Sequence, residues 1–390
     1  MSEDLDKLVT FTIPLHNRSH YLEIILKYYK EAGFKGKFLF TDDSSEDELQ
    51  KNEAIINNYK PFLDIEYYQV GKSPQFPFWT NMQFLLKKVT TKYVQLSADD
   101  DVFVLETLRA CVQGMEDDPS VEVALGHCYY IDCIDTCNLN TAKYNVDDVT
   151  DETEKKRHCY KKHWQLLEAS LSDDPVKRIM KQFYPEFTRP TMNGLQKTAS
   201  VNNRLATCLE NDLLKGSRTS MFTEFYWEYS IHLEGKTFLV DDFSWFSLHI
   251  CHKKLKEFSP MRFMPKWSSD PSFSEAYTRF ADLVEKKALE KGVDSKKAWF
   301  MGDVVWASVA VARLQRFRYT MAVDINKRLD DNTPMDFFSK VGRFIFRKYN
   351  NLLGVEKKRA VAIENKKREM ENKWGTLIKS LIDQIEAKPN

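Results

Sequence analysis

Asp99, Asp100 and Asp101 stand together just after the apolar run Tyr93-Val94-Gln95-Leu96, with only Ser97 and Ala98 between. Burying a strand requires no such cluster. Two carboxylates one residue apart can share a divalent cation or its water shell, and a hard Mg2+ or Mn2+ can bridge them to a diphosphate. The same residues can also form a solvated turn whose side chains cap the next helix. Similar polar groups follow earlier apolar runs: His16-Asn17-Arg18, Asp42-Asp43-Ser44-Ser45 and Gly71-Lys72.

The elements that must position these groups alternate. Apolar runs at 8–15, 37–40, 63–70, 92–96 and 121–126 predict strands, and helical spacing of apolar residues at 21–29, 46–59, 78–88 and 104–115 predicts the helices between them. Strict alternation implies a mostly parallel sheet flanked by helices, in which ligands bind at the carboxyl ends of strands. All four polar clusters fall at such ends and would share one rim. The Asp42-Asp43-Ser44-Ser45 group taken alone also suits a helix cap. No glycine-rich phosphate loop follows any strand, so P-loop and dinucleotide-binding folds are disfavoured.

Taken jointly, Thr12-Ile13-Pro14-Leu15-His16-Asn17-Arg18, Phe40-Thr41-Asp42-Asp43-Ser44-Ser45 and Ser97-Ala98-Asp99-Asp100-Asp101 resemble the family 2 type of nucleotide-sugar glycosyltransferase with the GT-A fold. The resemblance runs in order over roughly residues 8 to 252 and is looser in its second half. It implies that Pro14, His16, Asn17, Arg18, Asp42 and Asp43 hold the nucleoside, with Lys72 on the donor. It also implies that Asp99 and Asp101 bind Mg2+ or Mn2+ with the donor diphosphate, while Asp100 lies near the ribose or sugar. A catalytic carboxylate in this family often opens a late helix, which points to Glu224 first and Glu228 one helical turn on. The usual Glu-Asp pair is replaced by Glu224-Phe225, and the two glutamates can equally solvate a helix end. Lys236–Val240 and Phe243–Ile250 read as two further strands. Some GT-A relatives use a late histidine as an additional metal ligand, which makes His249, ahead of His252, a third metal candidate. A surface histidine pair is the simpler reading.

The expected organisation is a GT-A-like domain over 1–270, with a largely helical insertion at 142–215 on the acceptor side, and an all-helical region over 271–390. Aromatic residues in the insertion, among them Trp164, Phe183, Tyr184 and Phe187, can stack on sugars or pack the insertion down. The basic amphipathic stretch at 335–349 can lie on an anionic membrane or pack within the protein. The charged run 357–385 offers a helix for homodimerisation.

Composition constrains the partners. The 390 residues carry 57 Lys plus Arg against 57 Asp plus Glu, so no global field draws the chain to nucleic acid. The seven cysteines are odd in number and irregularly spaced, with no charged-then-apolar leader, and read as reduced thiols of a cytoplasmic protein, peripheral to the inner face of a membrane where 335–349 docks. His127, Cys128, Cys133, Cys137, His158, Cys159 and His163 lack paired zinc-ligand spacing. The expected activity is metal-dependent, inverting transfer of a sugar from a nucleoside diphosphate donor to a hydroxyl of a glycan or glycolipid precursor. The alternatives are a nucleotidyltransferase acting on a sugar phosphate and a non-catalytic sugar-binding module.

Overall fold

The computed structural model describes residues 3–71, 77–134, 159–165, 169–183, 191–211, 220–251, 271–299, 301, 305 and 355–386. It is an α/β protein built on one mixed, mostly parallel sheet flanked by helices. In chain order the sheet contains β1 (Val9–Leu15), β2 (Lys37–Asp42), β3 (Asp64–Gln69), β4 (Tyr93–Leu96), β5 (Asp101–Phe103), β6 (Val121–Ile134), β7 (Cys159–Gln165), β8 (Leu195–Lys197) and β9 (Lys236–Cys251). The spatial order is β3-β2-β1-β4-β8-β6-β9-β5, with β7 added beside β6. Strands β3, β2, β1 and β4 are parallel, as are β6 and β9, while β5, β7 and β8 pair antiparallel with their neighbours.

The helices are α1 (Glu3–Leu8), α2 (Ser19–Glu31), α3 (Glu46–Tyr59), α4 (Pro77–Leu86), α5 (Leu105–Asp117), α6 (Pro175–Phe183), α7 (Thr198–Glu210), α8 (Ser220–Glu234), α9 (Pro271–Glu290) and α10 (Val355–Glu386). Helix α2 buries Tyr21, Leu22, Ile25, Leu26 and Tyr29, the stripe that its apolar spacing creates. Its chain then reverses at Gly33, whose φ of 72° favours glycine. Under the rim, Phe11 of β1 contacts the rings of Tyr29, Phe34, Phe38 and Phe103. The Tyr29 hydroxyl accepts the Phe103 backbone N–H at 3.0 Å, which locks β5 to α2. Emptying the centre of such a cluster typically costs about 3–5 kcal/mol.

Within the expected, largely helical insertion, residues 159–165 form β7, paired antiparallel with the distal half of β6. The two late strands are one, β9, which follows β6 from Lys236 to Cys251 through register shifts near Leu125 and His127. The short β8 immediately precedes α7.

Chain contacts separate two units, 1–139 with 145–314 and 140–144 with 315–390. Helix α9 therefore belongs to the first unit, not to a separate region beginning at 271. It packs with α6 and α8 through Phe183, Phe222, Tyr229, Phe280 and Val284, so Phe183 is a core residue. In the second unit α10 is the described element, and the 335–349 stretch lies outside the described residues. Among the described residues no helix is long and apolar enough to cross a membrane.

Candidate functional site

The carboxyl ends of β1, β2 and β4 converge, and backbone bonds extend the ladder past each strand. Asp43 N–H donates to Leu15 O at 3.3 Å and Ser97 N–H to Thr12 O at 3.1 Å. Pro14 lies within β1 and pairs with Thr41, so it shapes the strand below the rim. Beyond it Asn17 adopts φ 57°, one of the few side chains that tolerate the left-handed region. That turn zips two loops together. Asn17 N–H donates to Ser44 Oγ at 2.8 Å, and Asn17 Oδ1 accepts the Ser45 N–H at 2.7 Å.

With its carbonyl thus engaged, Asn17 directs Nδ2 at His16 Nε2, 3.2 Å away. Nε2 must therefore accept, which leaves the ring proton on Nδ1, pointed at Asp43 Oδ1 at 2.7 Å. His16 N–H donates to Asp99 Oδ2 at 3.3 Å, so this residue ties the second strand end to the acidic triplet. Arg18 completes the link: its Nη1 donates to Asp99 Oδ1 at 2.8 Å and to Asp100 Oδ2 at 3.0 Å. Burial pushes the Asp99 carboxyl up to about 7, with Arg18 opposing the rise and Asp100 adding to it.

Asp101 opens β5 and pairs with Ser247 of β9, while Asp100 O accepts the Leu248 N–H at 2.8 Å. The triplet is thus clamped between β4 and a strand from the far end of the sequence. His249 follows Ser247 on β9, with its backbone opposite Asp132. His252 and Lys72 lie outside the described residues.

Among the described residues no group of three or more His, Cys, Asp or Glu side chains forms a metal cage. The donor set nonetheless fits a hard cation. Asp99, Asp100 and Asp101 are each less than a tenth exposed, and the Arg18 guanidinium pairs with the first two. Magnesium-type sites in transferases commonly use one or two carboxylates, completed by water and substrate phosphate.

The two glutamates of α8 occupy different environments. Glu224 is exposed, whereas Glu228 is buried. Glu228 Oε1 accepts the Met192 N–H at 2.7 Å, and its Oε2 accepts Thr191 Oγ1–H at 2.8 Å and Gln182 Nε2–H at 3.2 Å. It fastens the 3-10 turn Thr191–Asn193 to α8, and burial lifts its carboxyl to about 7 despite those donors.

Three site residues carried no local sequence signal. Asn52 of α3 and Tyr67 of β3 both donate to Asp42 Oδ2, at 2.7 and 2.8 Å, and Asn81 of α4 donates to Asp43 Oδ2 at 3.3 Å. Each sits inside a regular element, where only the tertiary fold brings it to the rim.

No family model matches the chain, and no curated protein matches it. Solved structures similar to it include Staphylococcus aureus TarS residues 1–349 in complex with UDP-GlcNAc, at 15% identity and a TM-score of 0.41, over 82% of this chain and 91% of that one. A longer TarS structure is 14% identical with a TM-score of 0.39, and the match covers 72% of this chain but only 43% of that one. The mannosyltransferase PcManGT from Pyrobaculum calidifontis, in complex with GDP-Man and Mn2+, is 12% identical with a TM-score of 0.38 over 88% and 86% of the two chains.

Proposed function

We propose that this chain is a metal-dependent glycosyltransferase of the GT-A type, which moves a sugar from a nucleoside diphosphate donor to a hydroxyl of a glycan or lipid-linked precursor. The observation that carries the reading is the single rim network in which His16 joins Asp43 to Asp99 and Arg18 joins Asp99 to Asp100. Three strand ends thereby bring several carboxylates and one guanidinium together, a set suited to a diphosphate held through Mg2+ or Mn2+.

Asp101 and Asp99 would hold the cation, with His249 as a further ligand. When bound, the cation neutralises charge developing on the departing diphosphate. Arg18 orients Asp99 and Asp100 from one nitrogen, and its 40% exposed side chain leaves the rest of the guanidinium edge for phosphate oxygens. Glu224, exposed on α8, is assigned as the base that takes the acceptor hydroxyl proton, which makes the transfer inverting. Glu228 is assigned to hold the 191–193 turn. Residues 335–349 would place the enzyme at an anionic bilayer if the acceptor is lipid-linked, and α10 would serve dimerisation.

The deciding experiment incubates the chain with UDP-sugars and GDP-sugars in Mn2+ and follows the products. Release of nucleoside diphosphate, lost in chelator and in Asp101→Ala, is expected. Pyrophosphate release would establish a nucleotidyltransferase instead, and metal-independent donor binding without turnover would establish a binding module. Retained anomeric configuration in the product would remove the base role from Glu224.

A further inference from the structure

Helix α8 is buried from Phe222 to Leu233 except at Glu224, which is exposed. A carboxylate presented from a buried helix is placed only as accurately as the helix beneath it is held. Two residues one helical turn further on do that holding. Glu228 fastens the 191–193 turn to α8. Trp227, wholly buried, donates its indole Nε1–H to Gln196 Oε1 at 3.1 Å. Arg204 Nη1 donates to the same oxygen at 2.9 Å, and Gln196 Nε2 donates to Met192 O at 2.7 Å. Both ends of that amide are engaged, so the indole is held in one orientation.

The Trp227 ring meets Trp79 of α4. Their ring centroids lie 5.2 Å apart with 31° between the planes, and Trp79 is itself 3% exposed. Aromatic pairs at such separations attract beyond the area they bury. The next residues of α4 are seated on the donor side. Asn81 Nδ2 donates to Asp43 Oδ2 at 3.3 Å, and the Met82 sulfur accepts Thr12 Oγ1–H from β1 at 3.3 Å. Within four residues, therefore, one short helix touches β1, the carboxyl end of β2 and α8.

We propose that Trp79 is a positioning residue that sets α8, and with it Glu224, against the strand ends that hold the donor. The assignment rests on the base reading of Glu224 above and deepens it. Trp79 acts through Trp227 and α8. Transfer requires the acceptor oxygen, its base and the anomeric carbon in register, and a misplacement of about 1 Å can cost on the order of a hundredfold in rate. Replacing the indole by a smaller, branched side chain leaves a cavity against Trp227, into which α8 relaxes. The donor contacts at the strand ends are untouched by that shift, so the loss belongs in kcat.

Steady-state sugar transfer, calorimetry with UDP and GDP in Mn2+, and thermal unfolding of the same variants test this. Trp79→Leu should lower kcat by about tenfold or more, while the donor KM and the nucleotide Kd stay within about threefold. Trp79→Phe, which restores a ring face, should recover kcat to within about threefold of the unaltered chain. If Trp79→Leu does not fold, Trp79→Met fills more of the space without a flat ring and carries the same reading. Leu5→Ala supplies the control for stability. Leu5 is buried on α1, before β1 begins and so at the opposite end of that strand from the donor site. It should lower Tm and leave kcat within about threefold. A kcat loss in Leu5→Ala equal to that in Trp79→Leu at matched Tm would reduce Trp79 to core packing. Weaker nucleotide binding in Trp79→Leu with kcat intact would place its effect on the donor instead, and either result overturns the assignment. Failure of the wider reading has its own signature: an unaltered chain that transfers no sugar, or a Glu224→Gln variant with full kcat, would remove the base and the positioning role together.

Discussion

Glu228→Gln tests whether this buried glutamate serves the scaffold, because the structure sets the sign and size of its pH response. The carboxyl is buried and lifted from 4.5 to about 7 by burial, against the hydrogen bonds from Thr191 and Met192. In the unfolded chain it returns to the ordinary value. Between those values the folded protein binds more protons than the unfolded one, so this group adds stability as pH falls. Taking 4.5 and 7 as the two values, lowering pH from 7.5 to 5.5 stabilises the native state by about 2 kcal/mol through this residue alone. Glutamine cannot take up that proton. It keeps one acceptor oxygen for the Met192 N–H, and the Thr191 hydroxyl can rotate to accept from its amide. The unaltered chain should therefore gain on Glu228→Gln by about 2 kcal/mol over that range, roughly 2–3 °C in relative Tm for a cooperative unit of this size. Thermal unfolding of both proteins at the two pH values measures this directly. Melting curves that stay parallel would refute the argument, since they would mean the carboxyl is already ionised in the fold. Sugar transfer at pH 7.5 should persist in Glu228→Gln and be lost in Glu224→Gln; the reverse pattern would exchange their roles.

Other expectations test the frame around the rim. His232, one turn further along α8, is buried with both ring nitrogens unpartnered among the described residues, and burial, aided by Arg178 and Arg204, depresses it to about 3. Its contribution has the opposite sign. Stability is lost as pH falls below the unfolded value of 6.5, so His232→Met should reduce acid sensitivity by about 1 kcal/mol between pH 7.5 and 5.5, read from the same melts. Arg204, with no exposed side-chain surface, donates to Gln196, Glu122 and Glu234 at 2.9, 3.0 and 2.7 Å. Arg204→Met removes the cation shared by Glu122, which keeps Lys197 at 2.9 Å, and the partly exposed Glu234, and should cost about 1–3 kcal/mol, measured by denaturant unfolding. At Gly126 a Cβ would lie 2.3 Å from the Asp242 carbonyl oxygen, so Gly126→Ala should lower Tm by forcing β6 away from β9.

Much of the architecture was legible because burial imposes pattern. Helix α3 occupies the span its spacing predicts, Glu46–Tyr59, and β1, β3 and β4 fall within the apolar runs read for them, while β2 runs on two residues past its expected end to Asp42. Strand β7 was not legible, since Cys-Tyr-Lys-Lys-His-Trp-Gln has no apolar alternation and owes its form to the exposed edge of β6. Strand β9 looked divided because Asp241 and Asp242 interrupt its apolar run. In the fold, register shifts against β6 absorb that polar step, and Asp241 accepts a hydrogen bond from His127. At the rim, residues following strands announced themselves by polarity. The partners that determine what each carboxylate can do, such as Tyr67 with Asp42 and the His16 backbone with Asp99, depend on contacts between distant segments.

One such contact bears on how the protein is made. The three-residue β5 begins with Asp101 and has its ladder on β9, with Asp101 opposite Ser247. During synthesis the strands through β4, and the loops bearing His16 and Asp43, leave the ribosome long before β9 does. Closing that contact spans a long loop and falls late in folding. The acidic triplet is therefore aligned after the loops bearing His16 and Asp43, and a nascent chain stopped short of β9 would display the triplet without the strand that aligns it.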